Sequence, residues 1–169
     1  RAPASAMVTP TCSDTLNWCL GAVPRSSAIS RWVSGEPGND QAARTRGVVA
    51  SSAGNHGLGV AYAARALGIS ATIFVPATAP RVKRDGIAAL GATVDAREPD
   101  YDAAMVRARQ FASDTDATFV HPCLGDSLLA GQGTVALEII EELPGVATVI
   151  TCVGGGGLLG GIAGLLRAE

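Results

Sequence analysis

Four consecutive glycines, Gly154 to Gly157, stand between an apolar run and an apolar tail. The run, Ala147-Thr148-Val149-Ile150-Thr151-Cys152-Val153, is β-branched enough to predict a buried strand. The tail from Leu158 to Leu166 predicts a helix. A strand, a glycine loop and a helix in that order point backbone N–H groups and the positive end of a helix at one spot. Glycine suits such a loop because a side chain would hold an anion away from the backbone. A phosphate is the natural guest. The other reading is a flexible linker, but linkers are usually polar and do not separate two apolar elements.

Gly155-Gly156-Gly157-Leu158-Leu159-Gly160 also fits the dinucleotide spacing G-x-G-x-x-G. That fingerprint needs an acidic residue about 20 positions further on, which would fall past Glu169. A second loop, Ser51-Ser52-Ala53-Gly54-Asn55-His56-Gly57, joins an apolar stretch to a helical pattern. Its small residues would let backbone N–H groups meet an anion such as a carboxylate, with Ser52 and Asn55 adding side-chain donors. Taken alone, the loop favours a plain helix cap, for which Ser and Asn are the usual residues.

Alternating elements must position these loops. Gly47 to Ser51 predicts a strand, Asn55 to Leu67 a helix stopped by Gly68, and Ala71 to Val75 a strand ended by Pro76. A helix is expected from Pro80 to Leu90, closed by Gly91, then a strand from Ala92 to Ala96. An amphipathic helix from Tyr101 to Ser113, with Arg107 and Arg109 toward solvent, leads to a strand from Ala117 to Val120. A helix from Gly133 to Leu143 precedes the run before the glycines. Repeated βα units imply a parallel sheet flanked by helices, with ligands beyond the carboxyl ends of its strands. Both loops are expected at such ends. Residues 1–46 hold Pro3, Pro10, Pro24 and Pro37 and no sustained period, with at most one helix, about Ser13 to Leu20.

At 169 residues, 47% hydrophobic and 17% charged, the chain is globular and can bury a core. A net charge of −2 with scattered basic residues gives no reason to expect nucleic acid or an anionic membrane as partner. No apolar stretch approaches the roughly 20 residues of a membrane span. Cys12, Cys19, Cys123 and Cys152 form no CxxC pair, and with only His56 and His121 besides no metal site is expected. Free thiols in a cytoplasmic protein are the expectation, with Cys152 a small core residue. The first residue is Arg1 and no leader pattern follows, so the sequence reads as a piece of a longer protein or a processed product.

Taken together, Ser52-Ala53-Gly54-Asn55-His56, Ala130-Gly131-Gln132-Gly133-Thr134 with Ala136-Leu137-Glu138, and Val153 to Leu158 resemble the threonine/serine dehydratases. Those are fold type II pyridoxal-phosphate enzymes, the tryptophan synthase β-subunit class. Gly59 to Ala64, Leu67-Gly68-Ile69, Ala79-Pro80 with Lys83, Gly91-Ala92 and His121-Pro122 fit the same pattern, so the resemblance runs from about Gly47 to Ala163.

The resemblance implies an incomplete α/β fold of parallel sheets flanked by helices. Residues 1–46 would be a degraded or truncated N-terminal part of the large domain, 47–124 the small domain, and 125–169 the return into the large domain. It implies pyridoxal 5'-phosphate as cofactor, with Gly154, Gly155, Gly156, Gly157 and Leu158 at its phosphate and Asn55 at its ring oxygen. Ser52, Ala53, Gly54, Asn55 and His56 would frame the carboxylate of a threonine or serine substrate. Elimination of the β-hydroxyl would give a 2-oxo acid and ammonia. His121 and Gln132 match family positions and are read as structural. Serine racemases of the family carry serine at the position of Ala53, which cannot move a proton, so dehydration is favoured over racemisation.

One element of the pattern is missing. The family attaches its cofactor through a Schiff base to a lysine in a Ser-Phe-Lys-x-Arg-Gly stretch. Counting back from Gly47 without gaps lands that lysine on Ala28, with Ser27 and Ser30 at the phenylalanine and arginine positions. Lys83 is the only lysine in the chain and matches an ordinary helix position, so no catalytic residue is identified. The leading expectation is a fragment or inactive copy of a dehydratase that self-associates as a homo-oligomer. A non-catalytic module binding a phosphate-bearing ligand or a partner is the alternative. A nucleotide-binding βαβ fragment would leave the Ser-Ala-Gly-Asn-His loop unexplained.

Overall fold

The computed structural model describes residues 44–168. The expected helix at Ser13 to Leu20, the N-terminal segment 1–46 save its last three residues, and the Ala28 position lie outside the described residues.

Four strands form one parallel sheet: β1 (Val48–Ser51), β2 (Ala71–Pro76), β3 (Thr93–Glu98) and β4 (Thr118–Phe119), in the order β3-β2-β1-β4. Between them run α1 (Asn55–Leu67), α2 (Arg81–Ala89) and α3 (Tyr101–Thr115). After β4 come α4 (Asp126–Glu142) and α5 (Gly157–Ala168), packed on each other.

The sheet is apolar on both faces because helices cover both. Val48, Ala50, Ile73 and Val75 meet Val60, Ala61 and Ala64 of α1 and Ile87 of α2. Val49 and Phe74, alternate residues on the same strands, face Ala104, Ala108 and Ala112 of α3. Small alanines let α3 lie close over the sheet, and Phe111 reaches Phe74 at a ring separation of 5.4 Å. Gly68 ends α1 in the left-handed conformation at φ 66°, which glycine adopts without a Cβ penalty.

Several expectations need correction. Pro80 caps α2 rather than opening it, and α2 stops at Ala89 with Leu90 as its cap. β3 extends to Glu98, and α3 runs on to Thr115 before Asp116 turns it at φ 58°. Arg107 is half-buried, while the exposed Arg109 folds its guanidinium over Phe119, 5.1 Å from the ring centre. The helix expected from Gly133 begins at Asp126. Gly131 and Gly133 are poor helix formers, but α5 crosses α4 there so closely that a Cβ on Gly133 would stand 3.2 Å from the Gly161 carbonyl oxygen. Tertiary contact overrides local propensity at that point.

The largest departure is the run Ala147 to Val153. It is no strand but an irregular segment with Ile150 91% exposed and Val153 62% exposed. Cys152, expected in the core, is exposed with a free thiol. A strand exists only where neighbours complete its hydrogen bonds, and this segment pairs with no strand among the described residues. Only the Ser52 loop therefore follows a strand's carboxyl end.

Candidate functional site

The first loop is built by the sheet. The Ser52 amide donates to the Phe74 carbonyl at 3.1 Å, carrying the β1–β2 ladder one residue past β1. The chain then turns sharply. Ser52 Oγ accepts from the Gly54 amide at 3.1 Å, and a Cβ on Gly57 would run into the Ser52 carbonyl oxygen. Gly54 occupies the cap position of α1 and offers no side-chain cap, and the first turn carries no acid. Ser52, Ala53, Gly54 and His56 are half-buried and Asn55 is exposed.

The glycine loop leads straight into α5, whose first turn is likewise free of acids. The starts of α3 and α4 are neutralised by their own residues. Asp100 caps α3 by accepting from Ala103, Asp102 follows, and Asp126 sits in the first turn of α4. The first turn of α2 carries Arg81, Val82 and Lys83, all exposed, so Lys83 stands on a solvent-facing helix surface. Glycine-rich entry and an unneutralised helix dipole coincide only at α1 and α5 among the described residues.

A single short segment joins the two loops. His56 Nε2 donates to the Val120 carbonyl at 3.1 Å, tying the first loop to the residue after β4. Burial holds the His56 imidazolium form down, the Val120 bond partly offsets this, and nearby His121 adds to the lowering. His121 Nδ1 accepts from the amides of Cys123 and Leu124, both at 3.0 Å, so the neutral ring carries its proton on Nε2. Burial and then Arg109 lower its pKa as well.

Cys123 then abuts the glycine loop. A Cβ on Gly155 would collide with Cys123 Sγ, and one on Gly157 would stand 3.1 Å from Cys123 Cα and 3.3 Å from the Pro122 carbonyl oxygen. The buried Leu128 of α4 also stands 3.6 Å from that Cβ position on Gly157. Leu158 is half-buried on α5. Sequence reasoning missed the roles of Val120 and Cys123, since a backbone carbonyl and a loop cysteine leave no motif.

Comparison with known proteins now decides the family. Residues 24–169 match the family described as pyridoxal-phosphate dependent enzyme. The chain belongs to that family. It is 42% identical over 125 residues to the catabolic L-threonine dehydratase TdcB of Staphylococcus aureus, an alignment that covers 74% of this chain and 36% of that protein. Against the L-threonine ammonia-lyase of Thermotoga maritima the identity is 46% over 125 residues, 74% of this chain and 31% of that one. The chain thus spans about a third of the length of these relatives.

Among solved structures, maize serine racemase superposes with a TM-score of 0.74 at 31% identity, covering 85% of this chain and 43% of that one. Processed threonine deaminase isoform 2 of Solanum lycopersicum also gives 0.74, at 30% identity, over 83% and 41% of the two chains. These likenesses bear out the fold type II pyridoxal-phosphate architecture.

The residues present fit the family's cofactor. Packing against Cys123 explains glycine at 155 and 157, but a Cβ at Gly154 or Gly156 would meet nothing within 4 Å. Open space on that side of the loop, beside the start of α5, is what a phosphate requires. Gly156, at φ 86°, also turns the chain in a way other residues rarely do.

Proposed function

We propose that this chain carries the cofactor-phosphate cradle and the substrate-carboxylate loop of a threonine/serine dehydratase, and that it holds pyridoxal phosphate without covalent attachment. The observation that carries the reading is the strut from Val120 to Leu124, which fixes two acid-free helix starts relative to each other. The glycine loop at 154–157 takes the phosphate, Asn55 meets the ring oxygen, and the loop from Ser52 to His56 frames the amino-acid carboxylate. His56, through Val120, orients the Ser52 loop. When bound, the cofactor supplies an electron sink for the α-carbon.

The substrate assignment, threonine or serine, follows the names of the relatives. With alanine at the lysine position and Lys83 exposed on α2, this chain lacks the base for β-elimination and is a fragment or inactive copy of a lyase. Residues 47–124 are the small domain and 125–169 the return toward the large one. The exposed Ile150 and Val153 support self-association of the isolated chain, which light scattering reads directly. Among the described residues no helix is long and apolar enough to cross a membrane.

Racemisation is the second reading, favoured by the serine racemase likeness. Ala53 argues against it, because no proton can be moved from that side chain.

An absorbance titration with pyridoxal phosphate, then borohydride reduction and peptide mapping, tests the proposal. Reversible binding, lost on bulking Gly154 and Gly156 to valine, with no trapped peptide, is expected. A trapped adduct on Lys83, with 2-oxo acid formed from threonine, would overturn the assignment as an inactive copy.

A further inference from the structure

We propose that His121 is the positioning residue of the glycine loop, its bare Nδ1 holding the corner on which that loop rests, so that proton uptake by the ring loosens the grip on a phosphate. The inference rests on the proposed cradle and adds its regulation by pH.

The chain leaves β4 at Phe119 and bends through a short connection before α4 starts at Asp126. Pro122 has no amide to contribute to that turn. The next two amides, of Cys123 and Leu124, both converge on His121 Nδ1 at 3.0 Å. One lone pair therefore serves two donors. The corner so formed sets Cys123 against both glycines, so that a Cβ on Gly155 would collide with Cys123 Sγ and one on Gly157 would crowd Cys123 Cα at 3.1 Å. A shift of Cys123 by a fraction of an ångström is transmitted to both.

Protonation of Nδ1 is incompatible with this arrangement, since three N–H groups would then face one another without an acceptor. Both bonds are lost at once and the corner opens. The charged and titratable groups coupled to the ring lie on α3 and α1. Arg109 of α3 opposes its protonation, and His121 in turn opposes that of His56 on α1. The Cys123 thiol lies on the same corner and acts on Tyr101 at the start of α3. The Phe119 ring stands edge-on to the imidazole, with centroids 6.2 Å apart, and limits its rotation.

The test uses the whole chain, His121→Asn and His121→Leu. Asparagine Oδ1 can accept the same two amides and does not titrate, as in an Asx turn. Leucine offers no acceptor. Pyridoxal phosphate affinity is measured from about pH 8 to about pH 5, the ligand's own phosphate ionisation (pKa near 6) and His56 being common to all three proteins. Between those limits the parent should lose about fivefold more affinity than His121→Asn, and His121→Leu should bind weakly throughout. In parallel, hydrogen exchange on the ligand-free proteins should show Cys123 and Leu124 amides protected in the parent at high pH only, protected at both pH values in His121→Asn, and unprotected in His121→Leu.

Superimposable pH profiles for the parent and His121→Asn, in affinity and in exchange, would overturn the inference. If the parent bound no pyridoxal phosphate at any pH, the proposed function would fall and the phosphate part of this inference with it, while the exchange data would still decide whether His121 holds the corner. Should His121→Leu fail to fold, the comparison of the parent with His121→Asn carries the test alone.

Discussion

Two apolar, β-branched segments each lead into a glycine-bearing loop and a helix, and they end in opposite states. Val48 to Ser51 is a central strand, hydrogen-bonded to β2 on one side and β4 on the other, every residue buried. Ala147 to Val153 has a similar composition, yet its Ile150 is almost wholly exposed and its backbone pairs with no strand among the described residues. Composition made both segments candidates. What separates them is whether a partner strand lies alongside, because extended backbone is stable only when its N–H and C=O groups are satisfied. The consequence for the site is direct. The Ser52 loop is held by the sheet itself, whereas the glycine loop is held from outside, by Cys123 and Leu128.

The sharpest way to break this contrast is a matched pair of truncations. Ile73, fully buried on β2, should cost about 2–5 kcal/mol when changed to alanine. Denaturant midpoints of the two variants give the comparison, with Ile150→Ala as the other member. A comparable loss at Ile150 would mean that the 147–153 segment is packed in solution.

Next in size is Gly57→Ala, which forces a methyl group into the Ser52 carbonyl and within 3.3 Å of Ile73 Cγ2. Overpacking of this kind costs about 1–3 kcal/mol, and it should also distort the Ser52 loop, read by thermal denaturation and ligand titration together.

Ser51 should move stability the other way. Its hydroxyl is fully buried with no hydrogen-bond partner among the described residues, so Ser51→Ala should stabilise by about 1 kcal/mol. An unchanged or lower urea midpoint would show that the hydroxyl has a partner in solution.

His56 makes stability depend on pH. Its folded pKa lies below the ordinary 6.5, so below that value the unfolded chain binds more protons than the folded one. The contribution is present above pH 6.5 and is lost as pH falls through the folded pKa. Urea midpoints should thus drop between about pH 7.5 and about pH 5.5, and His56→Asn should flatten that slope. The smallest effect belongs to Ile150→Ala itself, expected within about 0.5 kcal/mol of the parent.

Much of the sheet domain was legible in advance. Asn55–Leu67 has the bounds its pattern predicts, because apolar spacing, a glycine stop and a buried face agree there. The sequence pattern starts α4 too late, since Gly131 and Gly133 argue locally against a helix that the crossing with Gly161 makes favourable. For the site, both loops and their glycines stood out by residue type. Their connection did not, since a histidine bonded to a backbone carbonyl and a cysteine beneath a glycine leave no spacing to read.

By itself, then, the sequence determined the βα order as far as β4, the two loops, the family and the absence of any lysine other than Lys83. Those are properties of residue type and of spacing along the chain. Tertiary structure alone decided that Ala147 to Val153 is no strand, that α4 runs through its glycines, and that Val120 to Leu124 joins the loops. Each of these depends on which distant group supplies the missing hydrogen bond or fills the space against a backbone.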